Sequence, residues 1–138
     1  MIDVLEDRIA ALVVAPGEGT TFPRSDAGGI VTIKLASETT GGAVTVWESH
    51  RSAGDTNEPG LHSHPGFDEM IYVLAGRYAF RAGSRRFMAS AGTFVFMPRG
   101  IFHTLASTGS IDGLLLHVAV PGGIEDAFEE MAFARGGE

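Results

Sequence analysis

His62-Ser63-His64-Pro65-Gly66-Phe67-Asp68-Glu69, running on through Met70-Ile71-Tyr72-Val73-Leu74 to Gly76, is the stretch on which the reading of this chain turns. In an extended strand alternate side chains share a face, so His62 and His64 point the same way and can share one metal. Pro65-Gly66 supplies a turn, and a hairpin or bulge there can return the Glu69 carboxylate to the two rings. Much later, shortly after the turn Pro98-Arg99-Gly100, His103 stands at the end of another predicted strand. Three imidazoles and a carboxylate suit one divalent transition metal (Fe, Ni, Mn, Co, Cu or Zn) by ligand hardness. In an octahedral site these four ligands leave two positions open, whereas zinc is nearly satisfied at four.

Around this stretch the chain reads as short strands separated by turns. Ile9 to Val14 is a short apolar run closed by Ala15-Pro16-Gly17. Ile30 to Leu35 and Ala43 to Trp47 follow Gly28-Gly29 and Gly41-Gly42, and Ser52 to Gly60 is a polar loop. Met70 to Leu74, Tyr78 to Arg81, Phe87 to Ala89, Thr93 to Met97 and Leu114 to Val120 complete the series. Such regular spacing predicts a sandwich or barrel. After Pro121-Gly122-Gly123 the pattern changes: Ile124, Phe128 and Met131 recur at helical spacing, and acidic residues crowd the first turn, where the helix dipole favours them. A short amphipathic helix over Ile124 to Ala134 is expected to pack on the barrel exterior.

Composition narrows the function classes. Ten basic against 17 acidic side chains give a net charge of −7, which leaves no basic footprint for nucleic acid or anionic lipid. There is no Cys, so thiolate sites and disulfides are excluded and any metal must be held by imidazole and carboxylate. The N-terminal residues lack the pattern of a signal peptide, and no apolar run approaches membrane-spanning length. A cytoplasmic protein with a small-molecule substrate, and neither a nucleic-acid nor a membrane partner, is the expectation.

Two motifs now stand out. The first is His62-x-His64, four residues, Glu69, six residues, Gly76; the second is Gly92, five residues, Pro98-x-Gly100, two residues, His103. With fifteen residues between Gly76 and Gly92, they resemble the paired signatures of the cupin superfamily, near the short end of the spacing used by microbial members. Two positions depart from that pattern. Thr56 stands where the first motif usually opens with Gly, and Ser107 where the second usually ends with Asn; both positions shape turns rather than bind metal. The resemblance implies an all-β double-stranded β-helix, a jelly-roll barrel with a short C-terminal helix. It further implies one cupin domain over 1–138 with a barrel core of about 42–120. The metal would sit inside the open mouth on His62, His64, Glu69 and His103. In members resembling quercetinases the equivalent Glu can leave the metal and act as a base, so Glu69 stands as ligand or as catalytic base.

Tyr78, Phe80, Phe94, Phe96, Met97 and Phe102 are expected to line the barrel or its mouth, although core packing accounts for each one taken alone. His117 pairs by alternation with Leu115 and Ala119 and can face the lumen; a core His satisfied by one hydrogen bond is the plainer reading. His50 is expected to be exposed, and Arg81, Arg85 and Arg86 to mark a solvated hairpin tip.

The resemblance to quercetinase-like single-domain cupins implies an oxidoreductase, a dioxygenase acting on a small aromatic or enolisable substrate. Fold and ligands do not fix the reaction. A non-redox cyclase or isomerase of polyketide type, and a small-molecule binding module without turnover, are the alternatives. A homodimer is expected, with the apolar segments Ile9 to Val14 and Ile124 to Phe133 as its contacts, because an open sheet edge invites a partner strand.

Overall fold

The structure, a computed structural model, describes residues 10–24 and 29–136, with backbone alone for 131–136. Short runs rich in Val, Ile, Thr and aromatic residues, punctuated by Gly, build strands β1 (Thr20–Pro23), β2 (Ile30–Leu35), β3 (Thr45–Arg51) and β4 (Asp68–Ala75). They continue as β5 (Arg77–Ala82), β6 (Arg85–Ser90), β7 (Phe94–Met97), β8 (His103–Ser107) and β9 (Gly113–Val120), and helix α1 (Glu125–Gly136) follows. One sheet has the order β1-β2-β3-β9-β4-β7 and the other the order β6-β5-β8, with antiparallel pairing throughout. This is the jelly-roll barrel that the sequence leads one to expect.

The two sheets face each other over a core that uses every second residue of each strand. Ile71, Val73, Leu115, Val95 and Met97 from the larger sheet meet Tyr78, Phe80 and Ala89 from the smaller one. A second cluster, Val31, Ile33, Trp47, Ala119 and Phe128, fills the other end. Gly76 shows why a turn glycine is required. Its φ is +84°, and a Cβ there would come within 2.8 Å of the Gly113 Cα. Any side chain would therefore push β9 away from the β4–β5 turn.

Four local expectations need correction. Residues 10–14, the described part of the Ile9 to Val14 run, form no strand, and the first described strand is Thr20–Pro23, too short to show an alternation. His103 opens β8 rather than closing a strand, since its predecessor β7 ends at Met97. Phe94 and Phe96, on the outer face of β7, are 59% and 53% exposed, because the inward positions of that short strand belong to Val95 and Met97. Helix α1 does not merely decorate the exterior: Phe128 is buried against Trp47, edge to face with centroids 5.5 Å apart.

Candidate metal centre

The His62–His64 segment is not itself a strand. A single bridge fastens it: His62 N donates to His103 O at 3.1 Å, and His103 N donates to His62 O at 2.8 Å. Gly100 N donates to His64 O at 3.0 Å, so the turn before His103 also holds the second imidazole of the first motif. Two stretches about forty residues apart are thereby pinned side by side. The ligating atoms of His62, His64 and His103 all lie within 4.8 Å of one another. The rings pack as a cluster, with centroids 4.4 to 5.1 Å apart.

Hydrogen bonding fixes what two of these rings offer. His62 Nδ1 lies 2.9 Å from Gly60 O, and His103 Nδ1 lies 3.1 Å from Ile101 O. A carbonyl only accepts, so each Nδ1 carries the proton and each Nε2 keeps a lone pair. Outer hydrogen bonds of this kind orient imidazole ligands and raise their basicity. His64 is stacked on Phe67 with centroids 4.7 Å apart. Burial drives its pKa from 6.5 down to about 4 against the raising pull of Glu69, with His103, His62 and Arg24 adding to the fall. Burial also lowers His103, against the Ile101 hydrogen bond and Glu69, which raise it. Neutral imidazoles are the form a metal needs. The chemistry of this donor set fits a divalent first-row transition metal.

Glu69 enters from the inner face of β4 and is buried. Its Oε2 accepts a hydrogen bond from His117 Nδ1 at 2.8 Å, while Oε1 lies 3.8 Å from His64 Nε2. Burial alone would raise this carboxyl. The His117 hydrogen bond, aided by the electrostatic pull of the neighbouring His117, His64 and His103 rings, outweighs it and holds the group below its ordinary 4.5. Glu69 thus stands beside the imidazole cluster with one oxygen committed to His117 and the other turned toward His64.

These groups line a cavity of about 460 Å³, within the range of small-molecule sites. Of the residues expected to line it, Tyr78 and His117 do. Phe80 and Met97 belong to the core, and Phe94, Phe96 and Phe102 are exposed. The apolar lining comes instead from Trp47, Phe67, Leu105, Ile124 and Phe128, with Ser49 and His50 among the polar groups. Alternation along β3 could have revealed Trp47, Ser49 and Arg51 as one inward row. The contribution of α1 had no such signal, because it depends on where the helix docks. Burial also leaves a mark on Tyr78, whose phenol is pushed up to about 12 and therefore stays neutral.

The lowered imidazoles make stability pH-dependent in a definite direction. As pH falls from 6.5 toward 4, an unfolded chain takes up a proton at His64 that the folded, metal-free protein still refuses. The unfolded state then binds more protons and stability falls. His103 and Glu69, both lowered, act in the same sense. The thermal midpoint of chelator-treated protein is therefore expected to drop across this window. A midpoint that is flat or rising between pH 6.5 and 4 would contradict the burial of these groups.

Comparison with known proteins agrees with this architecture. The family model described as "Cupin domain" matches residues 42–119, more than half of the chain. No curated protein sequence matches. Among solved structures, a predicted oxalate decarboxylase from Thermotoga maritima is 25% identical, with a TM-score of 0.69 over 80% of this chain and 99% of that one. KdgF from Halomonas sp. is 14% identical, with a TM-score of 0.70 over 85% and 99% of the two chains. An RmlC-like cupin from Shewanella frigidimarina is 15% identical, with a TM-score of 0.66 over 84% and 96%. The paired motifs, the two facing antiparallel sheets and the matched family model lead to one conclusion: the chain belongs to the cupin domain family.

Proposed function

We propose that this protein is a metal-dependent oxidoreductase, a dioxygenase acting on a small aromatic or enolisable substrate, with Glu69 as its catalytic base. One observation carries the reading. Three clustered imidazoles, with the Oε1 of Glu69 3.8 Å from one of them, stand on the wall of a cavity whose other lining combines aromatic and aliphatic side chains with Arg24, Arg51, Ser49, His50 and His117. A divalent transition metal held by His62, His64 and His103 would supply a Lewis-acidic, redox-capable centre. The chain's own residues do the rest. Trp47, Phe67 and Phe128 exclude water and hold an apolar substrate body, which brings its reacting group to a fixed position. Glu69, anchored by His117 at one oxygen, has the other available to take a proton from a substrate hydroxyl.

Oxygen uptake by metal-loaded protein tests this reading. Dioxygen should be consumed in proportion to substrate, with both labelled oxygen atoms appearing in product. Equal turnover with zinc under anaerobic conditions would replace it with the non-redox cyclase or isomerase reading, which the placement of Glu69 as a base also supports. Binding without turnover under every metal would leave a binding module.

The assembly is proposed to be a homodimer, and a surface besides the chain ends offers a contact. Tyr72 and Leu74 on β4 and Phe94 and Phe96 on β7 are exposed on the outer face of adjacent strands, and register places Tyr72 opposite Phe94. Strand β7 is also the edge of its sheet. An apolar patch of this kind is the mark of an interface. Helix α1, by contrast, already buries Phe128 in its own barrel. Light scattering at low micromolar concentration should give twice the 14.5 kDa of one chain, and Phe94→Lys with Phe96→Lys should halve it. A wild-type mass near 14.5 kDa refutes the dimer.

A further inference from the structure

Three neighbouring strands bring two arginines to one place. Register pairs Phe22 of β1 with Val31 of β2, and Val31 with Ser49 of β3, and all three face inward. One pleat further along the sheet, the same inward row holds Arg24, Gly29 and Arg51. Arg24 N donates to Gly29 O at 3.0 Å, which fixes the row at its β1 end. Gly29 has no side chain, and Arg51 occupies the space above it. A Cβ on Gly29 would lie 2.7 Å from Arg51 Cδ and 3.0 Å from Arg51 Nε. The Arg51 stem therefore lies across Gly29, toward the strand that carries Arg24, and both arginines line the cavity beside the imidazole cluster.

This is a costly place for two cations. Arg51 is 6% exposed, and a buried charge is expensive unless opposite charge and hydrogen-bond acceptors meet it. Its Nη1 donates to Asn57 O at 2.9 Å and lies 3.7 Å from Asp55 Oδ1, an ion pair too long to be a hydrogen bond. Arg24 stands over the Phe128 ring, 5.4 Å from the centroid, which holds its guanidinium at the cavity wall. Both guanidiniums have further contacts within the protein, and each has five N–H donors to distribute. In a chain of net charge −7, Glu69 is the one carboxylate among the described residues lining this cavity, and it stands with the imidazoles. The arginine row is thus the cationic part of the lining, and a guanidinium fork matches the paired oxygens of a carboxylate.

We propose that Arg24 and Arg51 form an anion subsite that holds the carboxylate of an aromatic or enolisable carboxylic acid. Trp47, Ile124 and Phe128 on the same cavity wall receive its apolar body, and its reacting hydroxyl is left to the imidazole cluster and Glu69. This deepens the functional reading given above by adding a carboxylate to the substrate. It rests on that reading only for the cavity as the place where substrate binds.

Calorimetric titration of the full-length, zinc-loaded protein with 2-naphthoate and its neutral amide, 2-naphthamide, tests it without turnover. The wild type should prefer the carboxylate by at least about tenfold, as charge-assisted hydrogen bonds predict. Arg51→Gln should remove most of that preference and Arg24→Gln part of it, with the amide changed by less than about threefold. Arg24 is half-buried at the end of its strand, so its variant carries the test even if Arg51→Gln does not fold. Repeating the titration after chelation separates the arginines from the metal, which can itself take a carboxylate. The preference should persist in the chelated wild type, and its disappearance there would place the carboxylate on the metal and overturn the proposal. Equal affinity of the wild type for the two probes, failure of both to bind, or an undiminished preference in Arg24→Gln would overturn it too. Oxygen uptake forms no part of this readout, so failure of the dioxygenase reading and failure of the anion subsite appear in different experiments.

Discussion

Replacing any one of His62, His64 and His103 with alanine is expected to abolish stoichiometric binding of a divalent transition metal and to leave a folded barrel. The loss should exceed the roughly 10–100-fold that removal of an outer hydrogen-bond partner costs a metal site, because a donor atom itself disappears. The fold should survive because neither hydrophobic cluster contains any of the three imidazoles. Unlike a zinc finger, a chain of 138 residues with two such clusters does not need a metal to fold. His103 is the most demanding of the three, since its ring is buried and its backbone is tied to His62. The alanine keeps those backbone bonds, so loss of the ring should cost metal rather than structure. Metal content measured beside circular dichroism and thermal melting decides the matter. A variant that folds and still binds metal as well as the parent removes its residue from the site.

Trp47→Ala is expected to lower the unfolding free energy by about 3–5 kcal/mol, the usual cost of truncating a large buried aromatic side chain. That is a large share of the roughly 5–15 kcal/mol available to a typical domain. Trp47 is 2% exposed, lies flat on His117, receives the edge of Phe128 and belongs to the second core cluster. Its removal takes from Phe128 of α1 the ring on which it packs edge to face. Phe128→Ala should therefore cost much less in a Trp47→Ala background than in the wild type, since the two rings share one contact. Urea denaturation of both single variants and of the double variant measures this. Additive losses would mean that the helix is held by other contacts, and a loss under about 1 kcal/mol for Trp47→Ala would mean that the ring is not packed as described.

Much of the site is legible in the sequence alone. The spacing of His62, His64, Glu69 and His103, with Gly76, Gly92 and Gly100 at their turns, is a local pattern, and a motif of that kind survives translation into one dimension. The alternation of β4 and β9 likewise fixed which residues face inward, including His117. Alternation failed where the strand was short or polar. Phe94 and Phe96 carry the residue type of a pocket lining, but on a four-residue strand the choice of inner face depends on register with β4, which pairs Glu69 with Met97 and Met70 with Phe96. Thr20–Pro23 has no periodicity to read and is a strand only because β2 pairs with it.

By itself the sequence determined the all-β class, the identity of the clustered imidazoles and the absence of any thiolate alternative. Each depends on residue type and on short-range spacing, which the chain carries explicitly. Only the tertiary structure decided what surrounds those imidazoles. It placed Ser49 within reach of His117 across 68 positions and His117 within reach of Glu69 across 48. It also brought Phe128 from the C-terminal helix onto Trp47. These contacts arise when strands distant in sequence become neighbours in a sheet and when a helix finds the barrel end it covers. Pairing order and docking of that kind are set by the global burial of apolar surface, which no local stretch of the chain encodes alone.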